Sequence, residues 1–323
     1  MKISIVMPVL FWKLLVHPVQ AQVCPKTWQC LPTTTTPTLD GNLNEWADVS
    51  GIESSLKSLI TGTYLLGTAA FKCQYDDTNI YMAMEIPGLY QFNATDDHFC
   101  AAIATMIKVG VDASFVQMGN CPDAGPGSEC SDTILEACDT YRVDIGAHWE
   151  LSGTEQSVFY NLTTTTTPDG EKPGNDLVAN KDDEWAVSSW CRFDDNDSNG
   201  GNEWSGSWVH TNPIVGEDGN YIFELSRLLQ TPSTKTDAQL KAGEVYSVGL
   251  AYWDPYETEL GWSDAGHYVT GCGTDWIELE LVTADTLVTE SDSGGTMSNG
   301  DNTSNVLSLA MLLSSGAAFA AVL

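Results

Sequence analysis

The chain has 323 residues, 42% of them hydrophobic, and 44 acidic residues stand against 13 basic ones for a formal net charge of −31. A surface this acidic repels nucleic acid and anionic lipid, which removes nucleic-acid binding from the candidate functions. The apolar content suffices for a real core, and the chain without its ends leaves roughly 260 residues, enough for one large β domain or two small ones.

Residues 1–21 read as a secretion signal. Lys2 precedes the apolar run ISIVMPVLFW, and Val19-Gln20-Ala21 before Gln22 fits small-residue cleavage. Residues 22–37 form a Cys-bounded segment and the linker PTTTTPT. The domain, 38–282, opens with LDGNLNEWADV. In NIYMAMEI, Ile80, Met82, Met84 and Ile86 fall on one face of a strand. AAIATMIKVGV is a more continuous apolar strand, and Met118 in ASFVQMGNC ends a strand just before a Gly-Asn turn signal.

TYRVDIGAHWEL, EWAVSSWCRF, NYIFELSRLL and DWIELEL continue in the same style, separated by polar loops such as NLTTTTTPDGEKPGNDLVANKDDE. TDAQLKAGE has room for a turn or two of helix at most. In EVYSVGLAYW one face carries Tyr246, Val248, Leu250 and Tyr252, and the other carries Ser247, Gly249 and Ala251 before ending at Trp253. Small side chains on a central strand leave space, filled either by bulky residues opposite or by a flat ligand against the backbone. Many strands with long polar loops and no long helical period predict an all-β chain, an antiparallel β-sandwich of immunoglobulin-like kind.

The C-terminal end carries a polar spacer, 283–305, with small residues at Ser293, Gly294 and Ser298. An apolar tail, 306–323, follows with no basic residue after it. That is the pattern of a GPI-anchor signal on the outer face of the plasma membrane, with a single-span anchor as the alternative. Nine cysteines in such a context predict disulfides. Cys24 and Cys30 form a candidate local pair, and at least one bridge is expected within the loop holding Cys121, Cys130 and Cys138. One thiol is left over. The absence of C-x-x-C-H excludes covalent c-type haem, and the sequons at Asn93, Asn161, Asn196 and Asn302 fit a secreted glycoprotein.

Two candidate soft or imidazole donors stand out. Met118 lies at the mouth of a potential pocket, whereas Met82, Met84 and Met106 sit in apolar strand patterns and read as core. His267, in DAGHYVTGCGTDW, follows the small-faced strand. A separate stretch, DNDSNGG, matches the front of a calcium loop through Asp195, Asp197 and Asn199, but Gly206 stands where the bidentate glutamate belongs. Eleven tryptophans, among them Trp185, Trp190, Trp204, Trp208 and Trp262, offer aromatic faces for polysaccharide or packing for the sandwich ends. No G-x-S-x-G or H-E-x-x-H occurs, so hydrolytic catalysis is poorly supported.

LDGNLNEWADV, DDTNIYMAMEI, AAIATMIKVGVDASFVQMGN, TYRVDIGAHWEL, NYIFELSRLLQT, DAQLKAGEVYSVGLAYWDPYE and GHYVTGCGTDWIELEL, in this order over about 38–282, carry a resemblance. The chain resembles the cytochrome c-552/DMSO reductase-like haem-binding domains, the family of the ethylbenzene dehydrogenase γ subunit and dimethyl-sulfide dehydrogenase. That family is related to the DOMON and family-9 carbohydrate-binding sandwiches. The resemblance implies one non-covalent haem b between the sheets, with Met118 as one axial ligand. The second ligand in the family is commonly a lysine before the last strand. Here His267 holds that place, with Lys108 or Lys241 as alternatives and Asp264 to anchor the imidazole.

Ser247, Gly249 and Ala251 would make room for the porphyrin. Met/His ligation saturates the iron and favours single-electron transfer with an unknown redox partner, or haem storage, over oxygenation. The expectation is therefore an extracytoplasmic b-type haem module, an electron carrier or haem-binding module rather than an enzyme. The alternative is a carbohydrate-binding cell-surface module without haem.

Overall fold

The computed structural model describes residues 22–58, 63–92, 100–150, 160–161, 183–195, 204–257 and 266–284. The chain divides into a unit running to Thr283 and a second unit, Ala284–Leu323. The secretion-signal residues, most of the C-terminal spacer and the apolar tail lie outside the described residues. Among those described, no helix is long and apolar enough to cross a membrane.

Among the described residues, fourteen strands build the first unit: β1 (Thr27–Pro32), β2 (Gly51–Ser58), β3 (Thr63–Tyr75), β4 (Asn79–Leu89), β5 (Ala102–Lys108), β6 (Val143–Glu150), β7 (Tyr160–Asn161), β8 (Asp183–Ser188), β9 (Cys191–Asp194), β10 (Ser205–His210), β11 (Asp218–Leu228), β12 (Val245–Trp253), β13 (His267–Val269) and β14 (Ile277–Leu281). They hydrogen-bond in the order β7-β10-β11-β4-β3-β1-β14-β12-β5-β6-β8-β9, with β13 and β2 bridging β12 to β3. The two halves of this order close on one core, a β-sandwich as expected. Phe71, Met82 and Phe223 come from one half and Ile103, Val248 and Leu279 from the other.

The pairing is antiparallel except at β1, which runs parallel to both β14 and β3. The segment 22–37 is thus more than a leader to the domain, because β1 joins the two halves.

Period-two alternation explains most of this. Ile80, Met82, Met84 and Ile86 all enter the main core. The opposite face of β4 is buried too: Tyr81 and Ala83 pack under Trp46, from the 3₁₀ turn Leu43–Trp46. Trp46 Nε1 donates to Glu224 Oε1 at 2.7 Å, and the amides of Asp40 and Gly41 donate to Glu224 Oε2. LDGNLNEW is therefore a structural clamp on β11.

Four disulfides form: Cys24–Cys272, Cys30–Cys73, Cys121–Cys138 and Cys130–Cys191, and the ninth cysteine, Cys100, is buried outside these bridges. The local pair Cys24–Cys30 is not made. Cys30 sits on β1 beside Cys73 of β3, while Cys24, before the strand, reaches Cys272 in the 3₁₀ turn Gly271–Gly273. The bridge expected among Cys121, Cys130 and Cys138 is Cys121–Cys138. The same Cys-rich loop also holds the described α-helix, α1 (Asp132–Ala137), which alternation did not indicate. TDAQLKAGE forms turns only.

Candidate functional site

β12 carries the alternation read from its sequence. Val248, Leu250 and Tyr252 enter the main core, and Gly249, Ala251 and Trp253 face the other way. Strand register extends that outer face into rows. Met106 of β5 lies between Gly249 of β12 and Ile145 of β6. Ala104 pairs with Ala251, which pairs with Val269 of β13. Ala102 pairs with Trp253, which pairs with His267. Small residues in adjacent rows hollow out the sheet surface, and these residues form an apolar cluster separate from the main core.

A loop roofs the hollow. Met118 does not end a strand; residues 114–119 form a tight turn in which Ser114 and Gly119 exchange backbone hydrogen bonds, each 3.0 Å. Gln117 and Met118 both adopt left-handed backbone, φ 61° and 50°, a conformation uncommon for residues with a side chain. Gly119 (φ 104°) must be glycine, since a Cβ there would lie 2.2 Å from the Tyr141 carbonyl. The turn is tied to the β8–β9 turn by Ser189 N donating to Gln117 O (2.8 Å), and Cys121 N donates to Val187 O (2.9 Å).

Between floor and roof lies a cavity of about 440 Å³, within the usual range of small-molecule sites. Met118, His267, Gly249 and Ala251 all line it, with Ala104, Met106, Phe115 and Arg192 among the other walls. Four of the five residues assigned to the flat-ligand site thus converge. Ser247 does not line the cavity. A Cβ on Gly249 would meet the Phe115 ring at 2.5 Å, so that ring lies on Gly249 and closes this end short of Ser247; Phe115 is itself held edge-on by Trp276.

Met106 is a correction of a different kind: it belongs to the cavity floor rather than the sandwich core. The cavity also sits on the outer face of one half, not between the halves, because the inner face of β12 is filled by Val248, Leu250 and Tyr252. The alternative donors are elsewhere. Lys108, at the end of β5, does not line the cavity, and Lys241 is an exposed residue paired with Glu244.

His267 is half-buried at the cavity edge, its ring stacked on Trp253 with centroids 4.3 Å apart and planes at 20°. Asp264 lies outside the described residues. Arg192 enters from β9, opposite Ala186 of β8, and its Nε lies 3.2 Å from Oε2 of buried Glu184.

The sequence reading missed Phe115, Gln117, Ser189 and Arg192 as lining residues. Ala104 and Met106 did carry a signal: they alternate along β5 as Gly249 and Ala251 do along β12.

The calcium motif fares differently. Asp195 is buried and accepts a 2.6 Å hydrogen bond from Thr236 Oγ1, so its carboxylate is turned inward. Asp197 and Asn199 lie outside the described residues. Among the described residues no group of three His, Cys, Asp or Glu side chains is set to hold a metal ion. Of the tryptophans singled out, Trp204 and Trp208 are fully buried core, Trp185 stacks on Phe193, Trp262 is outside the described residues, and Trp190 is exposed. His210 is buried and bonded to Gly88 O, with burial lowering its pKa.

No protein-family model matches the chain, and no curated protein matches it. Among solved structures it is similar to a family-9 carbohydrate-binding module from Caldicellulosiruptor kristjanssonii in complex with glucose. The identity is 12%, covering 79% of this chain and 95% of that one, with a TM-score of 0.36. The same module with cellotriose aligns at 11% identity, 84% and 100% coverage and TM-score 0.35. A putative carbohydrate-binding protein from Bacteroides uniformis aligns at 6% identity, 80% and 99% coverage and TM-score 0.34.

Proposed function

We propose that the protein is an extracytoplasmic haem-binding module, holding one non-covalent haem b in the cavity above β5, β12 and β13 and serving single-electron transfer or haem storage. One observation carries the reading: Met118 and His267, far apart in sequence, line the same apolar cavity as Gly249 and Ala251. The residues present suit the group. A thioether and an imidazole are both haem-iron donors, and the wall offers small floor residues that admit a flat ring. Bound haem would supply one-electron chemistry.

The chain's part is to hold and insulate. Met118 through its thioether and His267 through its imidazole would hold the iron. Trp253 sets the plane of the imidazole. The apolar floor excludes water, which disfavours the more highly charged oxidised state. The four disulfides fit an oxidising compartment, and with it the secreted placement expected from 1–21; anchoring through 283–305 and 306–323 rests on the sequence pattern.

The test is a visible spectrum of the purified protein with haemin, oxidised and reduced. Sharp low-spin α and β bands are expected, and Met118→Ala and His267→Ala should each convert them to high-spin spectra. Absence of haemin uptake overturns the reading.

A second reading, carbohydrate binding without haem, is favoured by Trp190. This exposed ring stands between Ser189 and Arg192, two residues that line the cavity, with the Gln117 backbone hydrogen-bonded to Ser189. An exposed aromatic beside polar side chains is how proteins stack sugar rings. Glucose and cellotriose are the first probes, and binding that is lost in Trp190→Ala, without haemin uptake, would select this reading.

A further inference from the structure

The chain contains three arginines. Arg227 is wholly buried against Asp144, and Arg142 lies over the Trp185 ring and pairs with Asp139. Arg192 is the third, and it lines the cavity. Register puts it there. It stands opposite Ala186 on β8, and Glu184, two residues back on the same face, stands opposite Ile145 of the cavity wall. Glu184 is buried, and its Oε2 holds Arg192 Nε at 3.2 Å. The guanidinium is thus drawn toward a buried carboxylate at the cavity wall.

We propose that Arg192, aimed by Glu184, receives a carboxylate of the cavity's ligand, so that the site selects a flat apolar molecule with an acidic edge over its neutral counterpart. For the haem reading, on which this rests, the acidic edge is a propionate.

A protein of net charge −31 repels an anionic ligand at long range, so a carboxylate needs a local cation to be held at all. Most of the cavity wall is apolar, and a cation beside low-dielectric walls attracts an anion more strongly than one in water. Arginine suits the role better than lysine. Its planar fork carries five N–H donors and can serve two carboxylates, here Glu184 and the ligand, while its charge does not titrate away. Met118 and His267 address the centre of the ligand; Arg192 addresses its rim.

The experiment compares haemin with its dimethyl ester, which has the same ring and metal but no carboxylate, in the whole protein and in Arg192→Gln. Wild type should prefer haemin by roughly 10- to 100-fold, the range of a hydrogen bond to a charged group. Arg192→Gln should abolish the preference while keeping the low-spin bands.

The double variant Arg192→Gln with Glu184→Gln removes the buried charge that the single change strands, and it should behave alike if the single variant folds poorly. Equal affinity of wild type for the two porphyrins, or a preference that survives in the variants, overturns the assignment. If neither porphyrin is taken up, the haem reading fails, and pyrene carboxylate against its methyl ester becomes the probe. A preference for the acid that vanishes in Arg192→Gln upholds the arginine's role, and no preference overturns it.

Discussion

Trp253 and His267 lie directly opposite each other on β12 and β13, their rings stacked at 4.3 Å. The stack restrains the imidazole at the cavity edge before any ligand arrives. An aromatic pair of this kind is worth about 0.5–1.5 kcal/mol. Trp253→Leu should therefore lower haemin affinity by roughly 2- to 12-fold through freedom returned to His267. Trp253→Phe, which keeps a stacking face, should recover most of the loss. Equilibrium titration at the haem absorption band reads the effect, and equal affinity in Trp253→Leu would mean that the stack does not orient the ligand.

Phe115 and Gly249 define the closed end. A valine at 249 would collide with the Phe115 ring, since even its Cβ would come within 2.5 Å. The ring must then move toward the cavity or the loop must lift. Gly249→Val should abolish uptake of any large flat ligand while the far-ultraviolet spectrum keeps its β signature. Phe115→Ala should do the reverse, lengthening the cavity toward Ser247 at a cost of about 3 kcal/mol or more in stability. Retained uptake in Gly249→Val would place the binding surface elsewhere.

The strands and the small face of β12 were legible because alternation needs only local sequence: Gly249 and Ala251 fall opposite Val248 and Leu250 whatever lies around them. The depth of the cavity was not legible. It depends on which strand lies beside β12, and Ala104 meeting Ala251 is a matter of register. Phe115 and Arg192 were invisible for the same reason. Each reaches the cavity from a turn or strand that only tertiary pairing brings near. The Cys24–Cys30 expectation failed because sequence proximity does not count once β1 carries Cys30 to Cys73.

Asp144 and Arg227 form a fully buried ion pair at 2.7 Å, and Asp144 Oδ2 also accepts from Ala238 N at 2.8 Å. Removing one partner leaves the other charge stranded in the interior, which costs about 3–5 kcal/mol. Asp144→Ala and Arg227→Ala should each lose stability of that order in urea unfolding. The pair Asp144→Leu with Arg227→Met should be far less harmful than the sum of the single changes. Additive losses would contradict a coupled pair.

Two buried carboxyls tie stability to pH. Burial, reinforced by Asp144, pushes Asp237 up to about 8, and burial raises Asp254 to about 6 despite hydrogen bonds from Tyr64 and Tyr256. Both native values exceed the unfolded value near 3.9, so the native state binds more protons between them. Stability from these groups is fully present below about pH 4 and falls as pH rises, through about 6 for Asp254 and about 8 for Asp237, with a slope of at most about 1.4 kcal/mol per unit per group. Asp237→Asn should flatten the decline between pH 6 and 8. Urea midpoints across pH 4–9 test this, and a wild-type profile rising over that range would refute it.

The roof of the cavity is stapled separately from the sandwich. Cys121–Cys138 and Cys130–Cys191 fasten the segment after Met118 to itself and to β9, in a small cluster with Val187 and Ala124 that is distinct from the main core. The main core keeps its own staple, Cys30–Cys73. Loss of the Cys130–Cys191 bridge should therefore act first on the position of Met118, because the left-handed turn that presents it is anchored just upstream of Cys121. Cys130→Ser with Cys191→Ser should cost about 2–5 kcal/mol, as removing a native disulfide from a small secreted domain does. In protein loaded with haemin it should also diminish the low-spin bands at denaturant levels where the far-ultraviolet signal is unchanged. Low-spin bands that persist until the β signature itself collapses would mean that roof and sandwich unfold as one, and that the staple does not position Met118.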